Sequence, residues 1–391
     1  MRLIIVVGDT SSRNLGDPIL THCCEYVVRQ AIGAEDAKVE VFDIAGRPPH
    51  KIAIPTESSD IAMQKTPSRL HNNINTIVED SKAILKWFFK DRKVFLNRLS
   101  QFDLKEATFV IAGGALISSS LFYALRLNLI IEIAKKNKGK VIFNSVGIEK
   151  TIYNTGLAKH VVRHYLKQKE VVAFSTRDHI EDIPYLTKRK EFYLQTPDPG
   201  LLASEAYKIQ RGESNVVGIS VISYNAYQSV IQNEPRAKDI TPDSLIEFWA
   251  SIIKQLQDAQ IPFRILTNGG IADYEMALRL ADRMQLNKNL YLQPLAQTPE
   301  QLVSQLSKFS FVIAHRLHAC IISTSLGLPI IPVIWSDKVS AFAKMINNLY
   351  YIWPGDGLDI LRVLKEYELD VTKISSLKRE CIDYINTCLN D

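Results

Sequence analysis

Two cationic side chains with different chemistry lie close together in the segment Arg316-Leu317-His318-Ala319. The apolar run Phe311–Ala314 before them predicts a buried strand, and residues 319–326, closed by Gly327, predict a helix. Arg316 and His318 should therefore lie where a strand ends and a helix begins. A helix N-terminus favours anions, Arg matches phosphate or carboxylate with a planar fork, and His carries a proton that moves near neutral pH. The sequence therefore predicts an anion site with a built-in acid.

Two further cations follow predicted strands in the same way. Arg177 comes after the apolar run Val171–Ser175, and Lys338 follows the run Ile330–Trp335. Ligands of open α/β sheets bind outside the carboxyl ends of the strands, so both side chains are candidate substrate-binding groups. The alternatives are a structural ion pair for Arg177, with Asp178 or a surface carboxylate, and an ordinary surface position for Lys338.

Two glycine-bearing turns also follow predicted strands. They are Asn14-Leu15-Gly16-Asp17, which precedes a helix predicted from Leu20, and Gly113-Gly114. Gly16 permits close backbone approach, while Asn14 or Asp17 can cap the helix or contact a ligand hydroxyl. Gly113 and Gly114 either admit a ligand or only form a tight turn. The spacings of a dinucleotide fingerprint and of a nucleotide-phosphate loop are both missing.

Other kinds of chemistry are less well supported by the sequence. His315 and His318 have the spacing of a metal-binding pair, but a metal site needs further ligands, and no carboxylate stands nearby. We therefore expect no metal. Cys320 falls inside the predicted helix, where a packed thiol is expected rather than a nucleophile, and no GxSxG elbow is present.

Composition limits the class of protein. With 391 residues the chain is too long for one compact core, which predicts two domains and a terminal extension. The net charge of +5 suits an anionic substrate or membrane surface and is too small for a nucleic-acid partner. Five cysteines without CxxC spacing and no bilayer-length apolar run predict a cytoplasmic protein, with peripheral contact to the inner face of the membrane as an alternative.

The predicted strands and helices alternate along the chain. Short apolar runs, Leu290–Leu295 among them, alternate with amphipathic helical stretches, as in parallel βαβ units. The pattern predicts an α/β fold with two Rossmann-like domains facing a cleft, at residues 1–207 and 208–355. Residues 356–391 are expected to form a helical tail. The ligand is expected in the cleft, at the carboxyl ends of the strands.

Residues 47–105 interrupt this alternation and are predicted to be an insertion. Arg47–Met63 has the composition of a loop, and residues 81–99 form an amphipathic helix. Its predicted apolar stripe consists of Ile84, Phe88, Phe95 and Leu99, widened by Trp87, Phe89 and Leu96. Lys86, Lys90 and Lys93 lie opposite. The helix either packs on its own domain or the cleft, or rests as a basic, aromatic helix on an anionic membrane surface.

Taken in order, these segments resemble the polysaccharide pyruvyl transferase family over about residues 14–342. The matching segments are Asn14–Asp17, Gly113-Gly114, Ser145–Ile148, Thr176–Asp178, Asp198-Pro199, Arg316–Ala319, Gly327–Pro329 and Lys338. The resemblance implies a fold similar to GT-B glycosyltransferases, with the acceptor bound by the first domain and the donor by the second. It implies transfer of pyruvate from phosphoenolpyruvate to a hexose of a cell-surface or exopolysaccharide repeat unit, as a ketal.

The chemistry of this transfer gives each candidate residue a hypothetical role. Arg316 and Arg177 would bind the two anionic groups of phosphoenolpyruvate, His318 would be the general acid, and Lys338 would stabilise the departing phosphate. Asp17 would orient or deprotonate an acceptor hydroxyl. Asn14, Gly113 and Gly114 complete the expected substrate-binding residues. The reaction requires no metal or nucleotide cofactor, and the saccharide acceptor is either free or lipid-linked.

Two other functions fit the same pattern. A GT-B glycosyltransferase that uses a sugar nucleotide would have the same two-domain layout, although the second domain lacks a clear carboxylate for a nucleotide ribose. A non-catalytic scaffold for polysaccharide assembly is the second alternative, and the presence of Arg177, Arg316 and His318 speaks against it.

Overall fold

The computed structural model describes residues 2–33, 37–47, 81–153, 156–189, 193–231, 240–357 and 359–390. The chain divides into two compact units. Unit 1 consists of Met1–Ser11, Cys24–Thr196 and Ile382–Asp391, and unit 2 of Ser12–Cys23 and Pro197–Cys381.

This division differs from the predicted boundary at 207/208 and from a separate tail at 356–391. The reason is that distant segments share one hydrophobic cluster in unit 2. Leu15 and Ile19 from the start of the chain, Leu201, and Leu377 near its end are all buried there. Periodicity shows that a segment is amphipathic, but it does not show which core the segment joins.

Unit 1 is built on a parallel sheet with strand order β2-β1-β3-β5-β6-β7, and β4 pairs with β5. The strands are β1 Arg2–Gly8, β2 Ala37–Asp43, β3 Thr108–Ile111, β4 Gly114–Ile117, β5 Lys140–Ile148, β6 Val171–Thr176 and β7 Tyr193–Gln195. The helices are α1 Gly16–Ile32, α2 Arg92–Leu99, α3 Leu121–Lys136 and α4 Leu157–Tyr165, and α1 begins in unit 2. The central strands are mostly apolar because both faces of the sheet are buried.

Unit 2 contains a second parallel sheet with strand order β11-β10-β8-β9. Its strands are β8 Val217–Ser220, β9 Phe263–Leu266, β10 Phe311–Ala314 and β11 Ile330–Pro332. Its helices are α5 Ala203–Ala206, α6 Tyr224–Ile231, α7 Pro242–Asp258, α8 Ile271–Arg283, α9 Lys288–Tyr291, α10 Pro299–Leu306, α11 Leu317–Ser325, α12 Asp337–Met345, α13 Ile360–Glu366 and α14 Val371–Asn390, whose last residues belong to unit 1.

One predicted strand is wrong. Within Leu290–Leu295, the first residues belong to the short helix α9, and only Leu292 forms an isolated bridge with Ile265. The side chain of Asn287 accepts a hydrogen bond from the backbone N–H of Asn289, which caps this helix. The apolar run was too short for periodicity to distinguish the two structures.

The insertion is helical over residues 81–99, which we call the insertion helix. It contains a π-helical turn at Trp87–Asp91 followed by α2. The predicted apolar stripe is wrong in part: Trp87, Phe95 and Leu99 are buried, but Phe88 and Phe89 are exposed. Of the predicted loop Arg47–Met63, residues 48–63 lie outside the described residues. Among the helices in the described part of the chain, none combines the length and apolar character needed to cross a bilayer.

Candidate active site

Arg316 and His318 lie at the start of α11. The buried strand β10 ends at Ala314, Arg316 is the N-cap residue with extended backbone, and His318 lies in the first helical turn. The helix begins two residues before the predicted start. His318 is 8% exposed, so its imidazole is held by packing rather than in open solvent. The N–H groups of a first helical turn point outward and favour an anion there.

The backbone of Gly16 lies directly against the imidazole of His318. A Cβ built on Gly16 would be 1.9 Å from Nδ1 of His318. The loop is fixed by a hydrogen bond of 3.0 Å from the N–H of Leu15 to the carbonyl of Asn268. Gly269, with φ +93°, leaves space that the Leu15 side chain fills. Two segments that are about 300 residues apart in the sequence therefore meet in unit 2.

Gly16→Ala should accordingly displace the His318 imidazole, because no Cβ fits at that distance. We expect kcat to fall about 10²-fold, the size of effect that a misplacement of about 1 Å produces. Stability should fall by about 1–3 kcal/mol through overpacking. Gly357→Ala is the matched control, since nothing lies within 4 Å of a Cβ built there. Unchanged kcat in Gly16→Ala would contradict a catalytic role for this contact.

Asn14 and Asp17 hold the shape of the same loop. The Asp17 carboxylate accepts hydrogen bonds from Ser12 Oγ at 3.1 Å and from Asn14 Nδ2 at 3.3 Å. Asp17 lies in the first turn of α1, which begins at Gly16 rather than at the predicted Leu20. Both side chains therefore take part in hydrogen bonds within the loop. Because Gly16 lies between these two residues in the loop, both stand next to the segment that contacts His318.

Arg316 is paired with a carboxylate that the sequence analysis missed. Its Nε and Nη2 donate to the two oxygens of Asp273 at 2.7 and 2.8 Å. Asp273 is 1% exposed and also accepts a hydrogen bond of 2.9 Å from the N–H of Ser223. The guanidinium lies 5.8 Å from the ring centroid of Trp335. Arg316 is therefore a fixed, partly neutralised cation whose Nε and Nη2 are engaged by Asp273.

Lys338 lies on the element that follows Trp335. It is the second residue of α12 and is half-buried. Trp335 donates a hydrogen bond of 2.5 Å from Nε1 to the carbonyl of His315, which fastens the end of this segment beside the start of α11. Lys338 therefore follows Trp335, whose ring Arg316 contacts, by three residues in the sequence.

His315 and Cys320 belong to the core. The His315 ring is fully buried and packs against Trp249 and Tyr227, with centroid distances of 5.0 and 5.8 Å. Burial, and then the charge of Arg316, hold the pKa of His315 well below its usual value, so it stays neutral. Burial raises the pKa of the Cys320 thiol, which excludes a reactive thiolate. His315 is thus a core residue.

In unit 1, three predicted segments converge at the carboxyl ends of neighbouring strands. A Cβ built on Gly147 would lie 3.1 Å from the carbonyl oxygen of Gly114 and 3.3 Å from Nη2 of Arg177. Gly114, with φ +95°, opens β4, a strand that the sequence did not predict. Arg177 is 7% exposed, and its Nε lies 3.7 Å from Asp178, so the predicted ion pair is present.

Hydroxyl groups brace the backbone behind Arg177. Ser145 has φ +52°, in the left-handed region, at a register shift of β5. Its N–H donates to Ser175 Oγ at 2.8 Å, and its Oγ lies 2.7 Å from Thr196 Oγ1. Asp178 accepts a hydrogen bond of 2.8 Å from the N–H of Ile148. Strained backbone that is held in this way clusters at binding sites.

The comparison with protein families decides the identity. A model of the family described as polysaccharide pyruvyl transferase matches residues 44–337, more than half of the chain. The chain belongs to the polysaccharide pyruvyl transferase family. The match includes Arg177, Asp273, Arg316 and His318. It excludes Lys338 and the loop around Gly16, so the contact with His318 is what links that loop to the site.

Several solved structures are similar to this member of the pyruvyl transferase family. The UDP-GlcNAc 2-epimerase from Neisseria meningitidis, bound to UDP-GlcNAc, has a TM-score of 0.52 at 11% identity, covering 100% of both chains. The S. aureus MnaA–UDP structure has a TM-score of 0.47 at 10% identity and covers 98% of this chain and 88% of that one. Phytolacca americana UGT2 has a TM-score of 0.46 at 12% identity, with coverages of 99% and 94%.

The two Rossmann-like units therefore form the α/β fold of GT-B-type enzymes, as predicted. At these identities the likeness shows the fold alone. No curated protein matches this chain in sequence.

Proposed function

We propose that the protein transfers pyruvate from phosphoenolpyruvate to a saccharide, with His318 as general acid. The observation that carries the proposal is the first turn of α11, where His318 lies against Gly16 and Arg316 is held by Asp273. The family match makes the chain a member of a transferase family of polysaccharide synthesis. A packed imidazole beside a fixed guanidinium at a helix N-terminus suits an anionic donor that must receive a proton.

The donor requires cations in fixed places. Phosphoenolpyruvate carries a phosphate and a carboxylate, and the Asp273 pair uses Nε and Nη2 of Arg316. Nη1 of that guanidinium and the N–H groups at the start of α11 would then face one anionic group of the donor. We also assign Arg177 and Lys338 to substrate binding, Lys338 beside the departing phosphate.

In the proposed reaction, His318 donates its proton to the methylene carbon C3, which becomes the methyl group of pyruvate. Positive charge develops at C2, and the first saccharide hydroxyl forms a C–O bond there while losing its proton, which Asp17 accepts. A second hydroxyl of the same saccharide then bonds to C2 as the C–O bond to phosphate breaks. Inorganic phosphate leaves with the proton that Asp17 had accepted, and the proton of the second hydroxyl passes to His318, so both side chains regain their starting protonation states. The net change is one phosphoenolpyruvate and one saccharide to one ketal and one phosphate.

Asp273 supports this role through charge. A free guanidinium two residues away would repel an imidazolium, and the buried carboxylate offsets much of that repulsion. The same carboxylate fixes the direction of the Arg316 fork. Both effects prepare the site before substrate binds.

The acceptor side of the proposal rests on the loop at Asn14–Asp17 and on Gly113 and Gly114. We propose that the acceptor is a hexose of a cell-surface or exopolysaccharide repeat unit. If that unit is lipid-linked, the enzyme acts in the cytoplasm at the inner face of the membrane. No metal or nucleotide takes part in the proposed reaction.

A thermal-shift comparison tests the donor. A ligand at about 100 times its Kd stabilises the folded state by about 2.7 kcal/mol, which raises Tm by about 5 °C in domains of this size. We expect that shift with phosphoenolpyruvate and none with UDP or UDP-GlcNAc. Arg316→Ala and Arg177→Ala should each reduce the shift, and the exposed Arg379→Ala, as the matched control, should not.

The opposite result identifies the rival functions. A shift with UDP-GlcNAc and none with phosphoenolpyruvate would replace the proposal with a sugar-nucleotide glycosyltransferase. No shift with either donor, and no phosphate release with any acceptor, would favour the non-catalytic scaffold.

A further inference from the structure

The insertion helix presents large apolar side chains to solvent. Phe89 is 83% exposed, Phe88 61%, Leu85 57% and Val94 49%. They lie within ten consecutive residues. Clustered exposed apolar side chains of this size mark interaction surfaces. We call Leu85, Phe88, Phe89 and Val94 the apolar patch.

Phe88 and Phe89 are exposed because the π-helical turn that carries them is anchored at both ends. Trp87 is 4% exposed and lies 5.8 Å from the ring centroid of buried Phe95. Asp91, at the other end of the turn, accepts a hydrogen bond of 2.9 Å from Arg126, whose guanidinium also stacks 4.7 Å from the Trp87 ring. With both ends of the turn held against unit 1, the residues between them face outward.

Positive charge surrounds the patch. The exposed basic residues of the same helix are Lys82, Lys86, Lys90, Arg92 and Lys93. Between residues 81 and 99 the sequence has one acidic residue, Asp91, which is engaged by Arg126. Exposed Phe and Leu with a dense set of Lys and Arg is the pattern of helices that lie in the interface of an anionic bilayer.

We infer that the insertion helix docks this protein on an anionic lipid bilayer, with Phe88 and Phe89 entering the boundary between headgroups and acyl chains. The lysine stems can extend beside the aromatic rings while their ammonium groups reach lipid phosphates. This surface is separate from the residues assigned to pyruvyl transfer, so its test needs no activity.

A bilayer fits the charge of this surface better than a second copy of the chain does. A symmetric self-contact would bring two sets of five exposed basic residues together, and like charges oppose such a contact. An anionic membrane supplies the opposite charge and an apolar layer together.

Vesicle co-sedimentation of the full-length protein tests the inference. The probes are vesicles of phosphatidylcholine alone and of phosphatidylcholine mixed with phosphatidylglycerol. We expect binding only to the anionic vesicles, with most of it lost as salt rises from about 0.1 M to about 1 M. Phe88→Ser with Phe89→Ser should lower the partition coefficient at least about tenfold. Lys86→Gln, Lys90→Gln and Lys93→Gln together should lower it about 100-fold.

Matched controls carry the same kinds of change elsewhere. Leu349→Ser replaces a side chain that is 84% exposed, and Lys254→Gln removes an exposed lysine. Both should bind vesicles as the parent does. Because all the altered residues are exposed, the Tm of each variant should match that of the parent.

Three results would overturn the inference. The first is that the parent protein fails to bind anionic vesicles. The second is that the patch variants bind these vesicles as well as the parent does. The third is that the parent is a dimer that does not bind vesicles, and that the double variant Phe88→Ser with Phe89→Ser is a monomer. The last result would assign the patch to self-association.

Discussion

His318→Ala should lower kcat for phosphate release by about 10²–10⁴-fold while phosphoenolpyruvate still raises Tm. The imidazole is the proposed proton donor, whereas donor binding is assigned to Arg316, Arg177 and the start of α11. Loss of an interaction that forms only in the transition state lowers kcat and leaves ground-state binding in place. Phosphate release in the presence of acceptor measures the first quantity, and the thermal shift measures the second.

Two control variants separate this effect from damage to the fold. His160→Ala removes an exposed imidazole on α4 and should keep the parent rate. His318→Gln keeps a polar side chain at the site but supplies no acid, so it should be as slow as His318→Ala. Parent-like turnover in either His318 variant would show that another group donates the proton.

Asp273→Ala should be among the most destabilising single changes outside the apolar core. It leaves Arg316 without its carboxylate and the N–H of Ser223 without its acceptor, in a place where Asp273 is 1% exposed. Removing one partner of a buried ion pair lowers the free energy of unfolding by about 3–5 kcal/mol. We expect a loss of about 3 kcal/mol here because Arg316 is partly exposed. Urea unfolding measures the free energy, and phosphoenolpyruvate binding should weaken as the Arg316 fork loses its direction.

Asp273→Asn refines the test. The amide oxygen still accepts from Ser223 but carries no charge, so stability should recover in part while donor binding stays weak. Glu247→Ala breaks an exposed pair with Arg283, with both side chains more than half exposed, and should change stability by less than about 0.5 kcal/mol. Equal stability of Asp273→Ala and Glu247→Ala would contradict the buried-pair account.

The strand–helix junctions of the site could be predicted from the sequence because each junction depends only on residues that are neighbours in the chain. The apolar run Phe311–Ala314, followed by polar residues and a helix closed by Gly327, places Arg316 and His318 at a strand–helix junction without reference to the rest of the chain. The junctions at Arg177 and Gly114 were found for the same reason, although Gly114 begins a strand that was not predicted.

The partners of these residues could not be predicted in the same way. Asp273 lies 43 residues from Arg316, in a helical first turn where acidic residues are common, so nothing in its sequence surroundings distinguishes it. The packing of Gly16 on His318 depends on the path of a loop across unit 2. Such contacts are set by tertiary structure, which periodicity does not report.

The insertion helix shows how a small departure from regular geometry defeats a periodic pattern. The inward residues Trp87, Asp91, Phe95 and Leu99 are spaced by four, and the π-helical turn widens the helix locally to keep them on one side. A pattern drawn at 3.6 residues per turn instead placed Phe88 in the stripe and left Trp87 as a flanking residue.

The central claim is that His318 protonates the donor as pyruvate moves to a saccharide. The most direct test is a reaction in D₂O with phosphoenolpyruvate and a panel of saccharides that have two neighbouring free hydroxyls, followed by mass spectrometry. We expect a product heavier than the saccharide by one pyruvate less one water, with one deuterium in its methyl group and one phosphate released per product. With His318→Ala we expect both product and phosphate to form about 10²–10⁴-fold more slowly. Phosphate release without a ketal, or sugar transfer from a UDP-sugar instead, would contradict the central claim.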